Sequence, residues 1–95
     1  MISAVGIAWY RESDYPRILQ IMEDADLLHA TFLEWQKAAE QAERMSERNG
    51  TPIIRAIIDP QEFPAWCRAR GLNVDAGARM AFANEFARGL SKHLD

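Results

Sequence analysis

The sequence predicts an α+β domain in the order β-α-α-β-α-α, a small two-stranded sheet covered by four helices. Three observations carry this. Val5, Ile7 and Trp9 alternate with Ala4, Gly6 and Ala8, the period of a strand. Residues 53–58, Ile-Ile-Arg-Ala-Ile-Ile, are rich in β-branched side chains, which favour pleated backbone. Thr31, Asp59 and Asp75 each stand where a helix N-cap belongs, ahead of an apolar periodicity of helical spacing.

The first strand spans residues 3–10, with one bulky face and one small, flat face suited to close approach of another element. Ser13 or Asp14 caps a first helix that tolerates Pro16 in its opening turn and buries Tyr15, Ile18, Leu19 and Met22. That helix ends at Glu23-Asp24-Ala25-Asp26. These acids suggest a calcium loop, but counted from Asp24 its sixth and twelfth positions are His29 and Trp35. The loop needs Gly and Glu there, so the segment reads as a solvated turn.

Thr31 and Glu34 form a capping box that opens a helix over residues 32–48, closed by Gly50. Its apolar stripe is Phe32, Trp35, Ala38, Ala39, Ala42 and Met45; Lys37, Glu40, Glu43, Arg44 and Glu47 face water. In the second strand Ile54, Ala56 and Ile58 line one face and Ile53, Arg55 and Ile57 the other, so burial on both sides is expected. Asp59-Pro60-Gln61-Glu62 opens a short helix carrying Phe63, Trp66 and Cys67 and closed by Gly71. Pro64 sits awkwardly inside it, unless the helix starts later. Asp75 caps the last helix, whose apolar rows are Ala78, Phe82 and Phe86 or Ala83, Phe86 and Leu90. Residues 1–90 form one domain and residues 91–95 a frayed tail.

These motifs resemble a family of small, uncharacterised bacterial proteins of about this length. The shared features are Trp9-Tyr10 ahead of Asp14-Tyr15, Thr31 four residues before Trp35, and Ile58-Asp59-Pro60 followed by Phe63-x-x-Trp66-Cys67. Arg70-Gly71-Leu72 and Ala78-Arg79-x-x-Phe82-Ala83 complete them. The D-P-x-x-F-x-x-W-C core is the most specific part, and Pro64 departs from the pattern between its Phe and Trp. The resemblance implies a bacterial single-domain α+β protein; it assigns no activity and no catalytic residue.

At 95 residues and 10.8 kDa there is room for one core. With 48% hydrophobic and 26% charged residues, the chain buries too much apolar surface to be disordered. The net charge of −3 and pI near 5.3 argue against a protein that grips nucleic acid through phosphates. One cysteine allows no intramolecular disulfide and no multi-cysteine metal site. The N-terminal apolar run lacks a basic n-region and a cleavage pattern, and no apolar stretch reaches membrane-spanning length. A cytoplasmic address and no membrane partner are expected.

Residues 1–50 carry net −4 and residues 51–95 net +1. Two strands alone make a poor sheet, and an isoleucine-rich edge invites pairing. The expected assembly is therefore a homodimer, its sheet continued or packed across a two-fold axis. The small face of the first strand and the Ile53/Ile57 face of the second are the candidate surfaces.

No acid–base pair, nucleophile constellation, phosphate loop, cofactor motif or metal set stands out. The favoured expectation is a non-catalytic interaction or regulatory module with a protein partner. The alternative is a binder of a small anionic metabolite, or a minor enzyme, using Arg55, Trp66, Cys67 and Arg79. Arg55 stands among isoleucines and needs a partner: Glu34, Asp14, a dimer contact, a bound anion, or solvent reached from an edge strand. Arg79 near a helix N-terminus is unfavourable without an acidic neighbour, and with Arg68 and Arg70 it suggests an anion patch. Cys67 beside Trp66 reads as a small buried hydrophobe rather than a nucleophile. Trp9, Trp35 and Trp66 lie on apolar rows and read as core rather than as an aromatic box.

Overall fold

A computed structural model of the chain describes residues 4–93, with side chains as far as Gly89. Strand β1 (Val5–Trp9) leads through a 3₁₀ turn (Glu12–Asp14) into α1 (Tyr15–Ile21). A second 3₁₀ turn (Ala25–Leu27) precedes α2 (Phe32–Arg48); β2 (Ile53–Ile57), α3 (Phe63–Ala69) and α4 (Ala76–His93) follow. The α+β class and element order are those the sequence predicts. The C-terminal helix runs on to His93, past the expected limit of the domain, and residues 94–95 lie outside the described part, as does Ser3 of the expected first strand.

The strands pair in parallel, Val5 against Ile53 through Trp9 against Ile57. A parallel pair needs a long crossover, which α1 and α2 supply. The register puts Val5, Ile7, Trp9, Ile53, Arg55 and Ile57 on one face and Gly6, Ala8, Ile54 and Ala56 on the other. The small-residue face lies under α4, which buries Ala78, Ala83 and Ala87. Contact is close enough that a methyl group on Gly6 would overlap the Ala83 carbonyl oxygen. This face, expected as a candidate dimer surface, is therefore occupied within the chain.

The opposite face is only partly covered. Trp35 of α2 meets Trp9 edge-on, ring centroids 5.0 Å apart, in a cluster with Tyr10, Tyr15 and Phe32. Beyond Trp35 the helix does not bury the stripe the sequence suggests. Ala38, Ala42 and Met45 are exposed, and the inward row is Trp35, Ala39 and Glu43. Alanine favours an exposed helix by propensity alone, so its periodicity gives no signal of burial. Burial of β2 on both sides also fails: Ala56 and Ile58 are buried, but Arg55 and Ile57 are exposed.

Local signals fix the ends of these elements. Thr31 Oγ1 accepts the Glu34 N–H at 3.2 Å, and Asp75 Oδ1 accepts that of Ala78 at 3.2 Å. Gly50 and Gly71 close α2 and α3 with φ of +86° and +67°, where a side chain would be strained. The Asp59 carboxylate caps a turn, accepting the Gln61 N–H at 2.9 Å. Helix α3 starts four residues later than the expected cap. Pro64 then falls in its first turn, where a missing N–H costs nothing.

Candidate functional site

The four side chains proposed from sequence occupy three separate neighbourhoods. Among the described residues, no hydrogen bond or ion pair joins any two of them.

Arg55 is held by Glu43, not by Glu34 or Asp14. Its Nε and Nη2 each donate to a Glu43 carboxylate oxygen at 2.7 Å, and the guanidinium lies 3.9 Å from the Trp9 ring centroid. The hydrogen bond to Arg55 lowers the Glu43 pKa and raises that of Arg55, against opposing desolvation. A residue read as facing water is thus the sheet-side counter-ion.

Arg79 makes two hydrogen bonds to Asp24, at 2.8 and 2.9 Å, and a third contact to Met22 Sδ. Asp24 is held below its ordinary pKa, first by that hydrogen bonding and against desolvation. Tyr10 lies beside the pair, and burial pushes its hydroxyl up to about 12. The anion implied by the position of Arg79 is therefore within the chain. The acidic segment 23–26 keeps Glu23 and Asp26 exposed, as a solvated turn would, but through Asp24 it is also a docking point for the start of α4. Glu23 reinforces it, its backbone and carboxylate pairing with Val74.

Cys67 is 0% exposed, and burial raises its thiol pKa. A thiol in that state is a poor nucleophile. Trp66 stacks on Phe63, meets Phe82 edge-on, and is covered by Arg70 at 4.0 Å. Arg70 in turn pairs with Glu85 at 2.9 Å. Trp66, Phe63, Phe82 and Ile57 line a shallow apolar groove rimmed by Asp59 and Glu62.

A concavity with polar walls lies elsewhere, at the carboxyl ends of the two strands. There Asp14, Arg17, Asp59, Pro60 and Gln61 line a crevice of about 400 Å³. Arg11 stands between its two carboxylates, Nε 2.9 Å from Asp14 Oδ2 and Nη2 3.9 Å from Asp59 Oδ2. Ligands of parallel sheets bind outside the carboxyl ends of strands. From sequence, Asp14 and Asp59 are helix caps, with Asp14 also a candidate partner for Arg55; neither is singled out as part of a binding site. The signal that would have singled them out is strand direction: once the strands are parallel, the segments after Trp9 and after Ile57 meet at one end.

Among the described residues no group of three or more His, Cys, Asp or Glu side chains converges to hold a metal, and no helix is long and apolar enough to cross a membrane. No family model, curated protein or solved structure matches the chain.

Proposed function

We propose that this protein is a non-catalytic interaction module that works as a homodimer, with the outer edge of β2 as the seam. The observation that carries this is the unfinished sheet. Val5 N–H donates to the Pro52 carbonyl and Ile58 N–H to that of Trp9. By the parallel ladder, Ile54, Ala56 and Ile58 then face β1, while the N–H and C=O groups of Ile53, Arg55 and Ile57 point outward. Among the described residues, no backbone bond outside the ladder uses those three. Ile57 is 46% exposed, and Val5, on the same face, 45%. Exposed apolar side chains beside an open edge are a template for pairing.

A second copy fits this edge. Antiparallel pairing about a two-fold axis at Arg55 sets Ile53 opposite Ile57 of the partner subunit and makes a four-stranded sheet. Each Arg55 is already neutralised by its own Glu43, so the two arginines meet without a net like-charge penalty. The D-P-x-x-F-x-x-W-C residues support a structural role for that motif: Asp59 turns the chain, while Phe63 and Cys67 are core. The anion-binding reading on Arg55, Trp66, Cys67 and Arg79 has less support, since both arginines are paired and the thiol is covered.

Light scattering on the purified chain tests this. The expected mass at micromolar concentration is twice 10.8 kDa, and Ile57→Lys should give a folded monomer with an unchanged far-UV spectrum. A wild-type monomer at that concentration, or an undiminished dimer in Ile57→Lys, overturns the proposal.

A further inference from the structure

We infer that the strand-end crevice binds a free α-amino acid, its carboxylate on Arg17 and its ammonium on Asp59. Arg17, Asp14 and Asp59 line the crevice, and Arg11 stands between its two carboxylates, so the formal charges of the two guanidiniums and two carboxylates cancel. An anion alone would face two carboxylates, and a cation alone two guanidiniums. A compact zwitterion meets both signs with attraction.

The pairing inside the crevice is incomplete, which leaves capacity for a ligand. Arg11 is committed to Asp14. Its other arm is 3.9 Å from Asp59 Oδ2, beyond hydrogen-bond reach. Asp59 Oδ1 is used by the Gln61 N–H, so Oδ2 is the acceptor left over. Asp14 Oδ2 is buried and has no hydrogen bond of good geometry despite the nearby Arg11. Among the described residues, Arg17 takes part in no ion pair. Pro60, buried in the wall, gives an apolar surface for a small side chain, and the volume is in the range of small-molecule sites.

Amide-resolved NMR of the intact chain, titrated separately with each proteinogenic amino acid at millimolar concentration, tests the inference. At least one should shift the amides of residues 11–17 and 59–61 and leave the rest in place. Its N-acetyl and carboxamide forms, which remove one charge each, should bind at least about tenfold more weakly. So should Arg17→Ala, on an exposed position, and Asp59→Asn, which keeps the acceptor for Gln61. Three results would overturn it: no shift with any amino acid, equal binding of an analogue or of inorganic phosphate, or wild-type affinity in both folded variants.

Discussion

Removing the Arg79 guanidinium should unfasten α4 from the turn after α1. The pair is largely buried, Arg79 11% and Asp24 16% exposed, and joined by two hydrogen bonds of 2.8 and 2.9 Å. Arg79→Ala strands the Asp24 carboxylate in that site. Breaking a fully buried pair from one side costs 3–5 kcal/mol, and a charged hydrogen bond is worth 1.5–3. For this partly wetted pair the expected loss is about 2–3 kcal/mol, which lowers Tm by about 10–20 °C in a domain of this size. Thermal melts followed by circular dichroism measure it. Because Arg79 depresses the Asp24 pKa, the stabilisation is complete above the ordinary aspartate value of about 3.9 and fades as pH falls through the lower folded value. Wild type should thus lose stability on acidification through that window more steeply than Arg79→Ala. Asp24→Asn/Arg79→Ala should cost less than the sum of the two single changes. A Tm within about 3 °C of wild type for Arg79→Ala, less than 1 kcal/mol, would refute the reasoning.

Gly6→Ala should destabilise by about 3 kcal/mol or more, at the top of the range for overpacking, because the new methyl meets backbone rather than a yielding side chain; denaturant unfolding checks this. Cys67 should resist Ellman's reagent in the native state and react only after denaturant is added, since it is fully buried with a raised pKa. In native-state hydrogen exchange, amides of the C-terminal half of α2 should open before those of α4 facing the sheet, because Ala42 and Met45 are exposed while Ala83 and Ala87 are buried. Equal protection of the two helices would count against the asymmetric cover described above.

What was legible in the sequence was written in short-range chemistry. The limits of α2 follow from Thr31, Glu34 and Gly50, and the cap of α4 from Asp75, all acting within a few residues. The second strand announced itself through its isoleucines. The unread parts depend on contacts distant along the chain. Arg79 and Asp24 are 55 positions apart, and nothing local marks them as partners. The inward face of α2 is not legible because its apolar stripe beyond Trp35 rests mostly on alanine, which is stable on either side of a helix. Glu43 turned inward because Arg55 waited there. The strand-end crevice was invisible because strand direction is a property of the pair, and neither strand alone encodes it.

An asymmetry of cover underlies the proposed dimer surface. Gly6 and Ala8 on one side, with Ala83 and Ala87 on the other, let α4 seal the small-residue face so tightly that no partner can enter. The bulky face has no such fit. Its cover is anchored at Trp35, with Ala39 behind it and then the partly exposed Arg55–Glu43 pair, and such pairs contribute little. The proposed dimer accordingly uses the open face and edge of β2. The outer edge is open because the sheet stops at two strands; it is the parallel direction that sets the segments after β1 and β2 side by side, Arg11 and Asp14 from one and Asp59 from the other. An antiparallel pair with identical side chains would place those segments at opposite ends of the sheet, and the crevice would not form.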